Sequence, residues 1–123
     1  MAQPDSLQVS SQVISSTDTI IFTLRGSLVI SDMFELQKQL QEDNHAATII
    51  DMAGISYLDS AGVGLLVNAY VHREKTRRKL GLVSVPLRPM TVLRVTRVDT
   101  LFRFFQSVDE ARVALSGSAV GLV

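Results

Sequence analysis

No cysteine occurs anywhere in the 123 residues. That absence removes a disulfide framework, a thiolate metal site and a cysteine nucleophile together, and it accords with a reducing compartment. Histidine is scarce too. His45 and His72 stand in unrelated local settings, so a zinc or haem centre would have to be built almost entirely from carboxylates, against the usual ligand chemistry. Nor is there an excess of charge of one sign: 12 basic residues balance 12 acidic ones, which leaves no electrostatic footprint for nucleic acid. No apolar run approaches the roughly 20 residues of a membrane span. Residues 1–6 are polar with one acid, unlike the basic-then-apolar order of a signal peptide. These absences predict a cytoplasmic chain with no cofactor or metal, touching neither nucleic acid nor membrane.

What the chain does have is apolar substance, 46% of its residues, in a length that suits one domain. Residues 1–6 and the small-residue tail 116–123 are expected to fray, which leaves 7–115 as the folded domain. Alternation over 7–14 and an Ile/Phe/Thr-rich run over 19–25 ending at Gly26 predict a β-hairpin. Asp32 with Glu35 resembles a capping box, and Met33, Leu36 and Leu40 then fall on one face of a helix over 31–43. The apolar run 47–51 reads as a strand buried on both faces, followed by a loop. A long helix over 60–79 carries the stripe Val63, Leu66, Val67, Tyr70 and Val71 and stops at Gly81. Residues 82–85 form another buried strand. Pro89 opens a short helix that ends near Val98, 102–105 is an edge strand, and Ser107 with Glu110 caps a last helix running to Leu115. The order ββαβαβαβα predicts an α/β domain: a mostly parallel central sheet with an N-terminal antiparallel edge hairpin and four helices.

One stretch stands out, leading from the central strand into the long helix: Asp51-Met-Ala-Gly-Ile-Ser-Tyr-Leu-Asp-Ser-Ala-Gly-Val-Gly64. In an open α/β sheet, ligands and partners meet the loops at the carboxyl ends of the strands. Asp59 or Ser60 can serve simply as the helix N-cap. Gly62 and Gly64 ask for more, since each costs about 0.8–1.0 kcal/mol in a helix relative to alanine. Two readings stand side by side: close packing on the sheet, or backbone laid bare for a partner. A dinucleotide fingerprint fails, because Val67 takes the place of the third glycine and no acid follows at the ribose position near residue 83. A serine hydrolase needs a histidine oriented by an acid, whereas His45 falls on a solvent-side turn and His72 on a helix flank by pattern.

The run Asp59-Ser-Ala-Gly-Val-Gly64 resembles the Asp-Ser-[Ser/Ala]-Gly-[Leu/Val]-Gly motif of STAS domains (sulfate transporter and anti-sigma-factor antagonist). Val98-Asp-Thr-Leu-Phe102 and Ser107-Val-Asp-Glu-Ala111 agree in spacing, so the resemblance covers about 7–115. A stand-alone domain with serine at this position is similar to the anti-sigma-factor antagonists. The resemblance implies a binding protein, not an enzyme, that engages a serine-kinase anti-sigma factor and so frees a sigma factor for transcription. It further implies phosphorylation of Ser60 by that kinase and reversal by a metal-dependent serine/threonine phosphatase. An alternative within the family is a subunit of another complex, a lipid-transport assembly or signalling scaffold, that binds through the same surface without phosphorylation. Where the family usually reads Gly-Glu-Leu-Asp at the end of the second strand, this chain reads Gly26-Ser27-Leu28-Val29, without either acid.

The expected partner surface comprises Asp59, Ser60, Ala61, Gly62, Gly64, Leu65 and Asn68, with Leu65 placed off the buried stripe. The run Arg73-Glu-Lys-Thr-Arg-Arg-Lys79 reads as a solvated helix end whose cations suit the negative dipole terminus. Phe102, Phe104 and Phe105 read first as core or edge packing and second as a dimer contact. A homodimer is compatible with the sequence.

Overall fold

Strand β1 (Gln8–Ile14) runs through a short 3-10 turn and returns as β2 (Thr19–Leu28) in the computed structural model, which describes residues 6–120. Asp18 closes the turn at φ 51°, a left-handed conformation in which aspartate is enriched. Its carboxylate accepts the Ala46 N–H at 3.0 Å, tying the hairpin to the next strand. Then follow α1 (Phe34–Glu42), β3 (Ala47–Leu58), α2 (Ser60–Lys75), β4 (Lys79–Val83), α3 (Leu87–Val95), β5 (Arg103–Phe105) and α4 (Val108–Val120). The strands lie side by side in chain order. β1 is antiparallel to β2, and every later pair is parallel.

Because strand side chains alternate, β2 and β3 feed two cores. Phe22, Leu24, Ile50 and Met52 pack with Leu36 and Leu40 of α1, Val63 and Leu66 of α2 and Leu93 of α3. Ile21, Ile49 and Val83 pack on the other side with Ala111 and Leu115 of α4. The first three helices thus cover one face and α4 the other.

Several boundaries differ from the sequence reading. Asp32 and Glu35 form no capping box: α1 starts at Phe34 without a side-chain cap, and the Asp32 N–H closes a turn on the Val29 carbonyl at 3.0 Å. β3 does not give way to a loop after Asp51 but continues to Leu58, because β2 also continues and keeps pairing with it. Their register slips twice, after Thr23↔Asp51 and after Gly26↔Ile55. Buried positions therefore fall at Met52, Ile55 and Leu58, a spacing of three that matches no strand template. Gly26 sits at the second slip with φ 107°, a conformation open to glycine. α2 ends at Lys75, and Gly81, expected to stop it, lies inside β4. Pro86 rather than Pro89 precedes the first turn of α3, which ends at Val95. At Ser107 the serine half of the expected capping box forms, the Glu110 N–H donating to Ser107 Oγ at 3.0 Å, while Glu110 Oε1 accepts the N–H of Gln106, one residue before the cap, at 2.9 Å. α4 then runs past Leu115 to Val120 into the expected tail; residues 1–5 and 121–123 of the two expected frayed ends lie outside the described residues.

The largest departure is Arg73. Far from being solvated, its side chain is 1% exposed and paired with Asp43 at 2.7 Å. It also donates to Thr48 Oγ1 at 3.0 Å and to the carbonyls of Leu40 and Ala69 at 3.1 and 3.2 Å. Thr48 and His45 complete the shell around the Asp43 carboxylate, and Arg78 donates to the Asp43 carbonyl at 2.7 Å. Burial pushes the Asp43 carboxyl up, but hydrogen bonds from the His45 N–H, Thr48, the His45 ring and Arg73 outweigh it and hold the group below its ordinary value. Burial also pulls the Arg73 guanidinium down, with Asp43 opposing. This network pins the ends of α1 and α2 to the start of β3, away from Ser60.

Candidate partner-binding surface

Ser60 is the first helical residue of α2, and Asp59 before it is the N-cap. Asp59 Oδ1 accepts the Gly62 N–H at 2.8 Å, as a capping carboxylate does. Its second oxygen accepts the Ile30 N–H at 3.2 Å, and its own N–H donates to the Leu28 carbonyl at 3.3 Å. One carboxylate therefore joins the start of α2 to the segment after β2. An asparagine presents one acceptor where two are used, so it can replace only half of this arrangement. Asp59→Asn should cost about 1 kcal/mol of stability and raise hydrogen exchange at Ile30 while the Gly62 N–H stays protected. Equal protection at both amides would contradict the bridging role.

The seven expected partner residues do not share one environment. Ser60 and Asn68 are exposed; Asp59, Ala61 and Gly64 are half-buried; Gly62 and Leu65 are buried. The two glycines separate cleanly. A Cβ on Gly62 would lie 2.4 Å from the Leu28 carbonyl oxygen and 2.7 Å from Leu58 Cδ1, whereas one on Gly64 would meet nothing within 4 Å. Gly62 is there for packing; Gly64 leaves backbone bare. Leu65 corrects the sequence reading: it is 5% exposed and belongs to the core. The buried face of α2 is Gly62, Val63, Leu65, Leu66, Ala69 and Arg73, and Val71 turns outward. The stripe was misread because Arg73, counted as solvent-facing, marks the buried side.

Neither histidine is placed to serve Ser60. His45 precedes β3 at the end opposite Asp59, and His72 lies 12 residues further along α2, about 18 Å at the helical rise. Phe102 is buried, edge-on to Tyr70 and Phe104, with ring centroids 5.8 and 6.2 Å apart, which is core packing.

Sequence reasoning missed a set of exposed apolar side chains at this same end of the sheet: Ile30 and Phe34 at 72% and 74% exposure, Tyr57 at 48% and Leu87 at 75%. Ile30 is one hydrogen bond from Asp59. Tyr57 and Leu87 line a shallow cleft with Leu58, Arg88, Thr91 and Val92. Exposed apolar groups gathered beside a polar site mark an interaction surface more than scattered ones do. The available signal was Phe34, an aromatic off the Met33–Leu36–Leu40 stripe.

Comparison with known proteins places this geometry. An anti-sigma-F factor antagonist, RsfB of Mycobacterium tuberculosis, is 25% identical over 126 residues, covering 98% of each chain. Among solved structures, an anti-sigma factor antagonist from Mycobacterium paratuberculosis superposes with a TM-score of 0.79 at 20% identity, covering 94% of this chain and 98% of that one. SpoIIAA, an anti-sigma factor antagonist, superposes in its unphosphorylated form with a TM-score of 0.73 at 16% identity, covering 91% and 97%. Among the described residues, no helix is long and apolar enough to cross a membrane. The STAS domain model matches residues 10–111, the span that carries the mixed sheet, the Asp59 cap and Ser60, and the chain belongs to the STAS domain family.

Proposed function

We propose that this chain is an anti-sigma-factor antagonist that binds a serine-kinase anti-sigma factor through the surface around Ser60 and is switched off by phosphorylation there. The observation that carries this reading is an exposed serine at the first position of a long helix, beside bare backbone at Gly64 and exposed Ile30, Phe34, Tyr57 and Leu87. The names of its relatives support it. A phosphate on Ser60 would add about −1.5 to −2 charges next to Asp59. Asp59 already occupies the Gly62 N–H, and the Val63 N–H bonds the Asp59 carbonyl at 3.0 Å, so the added charge is answered only in part by the helix end. It would act on the partner face and leave the core untouched. A metal-dependent serine/threonine phosphatase then restores binding, and the chain itself catalyses nothing.

Ser60→Asp should lower affinity for the anti-sigma factor at least tenfold in calorimetry while the melting temperature shifts by no more than a degree or two. Ser60→Ala should bind like the wild type and gain no mass of phosphate on treatment with kinase and ATP. Wild-type affinity in Ser60→Asp would end the switch reading.

Ser27 and Val29 favour a second reading, a subunit of a lipid-transport assembly or signalling scaffold that binds through the same surface unmodified. Ser27 meets Ser56 across the strands at 3.5 Å, and no carboxylate replaces the missing pair there. Binding without phosphate transfer under saturating kinase would select it.

A further inference from the structure

The sheet has two edges, and they are guarded very differently. β5 is three residues long and begins with Arg103, whose guanidinium lies 5.5 Å over the Phe105 ring. Short edges and charges are the usual protection against strand addition. β1 has neither. It pairs with β2 through seven consecutive residues, Gln8↔Arg25 to Ile14↔Thr19, without a bulge. Its outer side therefore offers a regular row of backbone donors and acceptors. From Ser6 to Thr17 there is no charged residue, no proline and no glycine, in a chain that is 20% charged. Five of its seven residues are exposed, among them Val13 at 48%.

We infer that β1 is a self-association edge, pairing antiparallel with β1 of a second copy to join two five-stranded sheets into one. The strand's own pattern selects this occupant. A twofold axis at Ser11, the middle residue, sets Ser11 opposite Ser11 of the second copy, Gln12 opposite Ser10, and Val13 opposite Val9. Two Val–Val pairs then flank the Ser–Ser pair on the face that carries the α1–α3 core, with two Gln12–Ser10 and two Gln8–Ile14 pairs on the other, and no like charges meet. A charged partner strand would find no complement on this edge; an identical one finds its own. Two seven-residue edges make a small interface, of the class that is weak and concentration-dependent.

Sedimentation equilibrium of the full chain should show the mass rising from 13.5 kDa towards twice that value over roughly 0.01–1 mM, the regime of weak association. Ser11→Lys should hold the chain monomeric throughout with an unchanged melting temperature, because Ser11 is exposed. A cysteine-free chain allows an independent check. Antiparallel partners place Cα atoms about 4.5–5.5 Å apart, within disulfide reach. Ser11→Cys should therefore form at least tenfold more crosslinked dimer under mild oxidation than Val113→Cys on exposed α4. A chain that stays monomeric at 1 mM, a Ser11→Lys dimer as strong as the wild type, or equal crosslinking of the two cysteine variants would each overturn the assignment.

Discussion

Arg73→Ala should lower the free energy of unfolding by about 3–5 kcal/mol, the range for a buried charge that has lost its partner. The guanidinium is the only arginine or lysine group bonded to the Asp43 carboxylate among the described residues, and it also serves two carbonyls and Thr48. Removing it strands a carboxylate that is 1% exposed. Asp43→Asn combined with Arg73→Met should recover part of the loss, since no unpaired charge then remains. The pH dependence has a definite sign. Asp43 holds its proton less tightly in the fold than in the unfolded chain, so the pair's contribution is complete above the ordinary value of 3.8 and fades as pH falls through the lower folded value. The gap between wild type and Arg73→Ala, measured by urea unfolding, should be widest at neutral pH and narrow below about pH 4. A gap under about 1 kcal/mol at pH 7 would mean that Arg73 is not buried as described.

Gly62→Ala should be destabilising by about 1–3 kcal/mol, although alanine is the better helix former. The reason is the direction of the new methyl group, which would press on the Leu28 backbone oxygen and the Leu58 side chain. Neither can retreat, because both residues are fully buried. The helix start must move instead, and Ser60 with it, so partner affinity should fall alongside stability. Gly64→Ala is the contrast two residues on. With open space around its Cβ position, it should gain a few tenths to about 1 kcal/mol. If the bare backbone is where a partner seats, affinity should drop several-fold despite that gain. A stabilised variant with wild-type binding would remove Gly64 from the proposed surface.

Much of this architecture is legible without coordinates. The hairpin follows from alternation and a strand break, the last helix from Ser107 and Glu110, and Ser60 at a helix start from Asp59 as a capping residue. Each rests on groups within a few residues of one another, where periodicity and hydrogen-bonding capacity decide the outcome. Where local rules failed, a distant partner had intervened. Asp32 and Glu35 have the right chemistry for a capping box, yet the turn at Val29 and the pull of Asp59 on Ile30 set the chain's path into α1. β3 runs beyond the apolar stretch 47–51 because β2 follows it through two register slips.

The same division runs through the site. The order of periodic segments pointed to the fold class, and the resemblance of Asp59–Gly64 to the STAS motif pointed to the family and to Ser60 as the proposed switch, because a motif on a strand-to-helix junction is a local object. Only the tertiary structure decided which glycine packs and which is bare, that Leu65 faces inward, that Ile30 and Phe34 border the site, and that Arg73 is a core residue. Each of those outcomes depends on what stands opposite: Leu28 for Gly62, the sheet for Leu65, Asp43 for Arg73. Those partners lie about thirty residues away in sequence for Gly62 and Arg73, and only the folded chain brings such residues into contact.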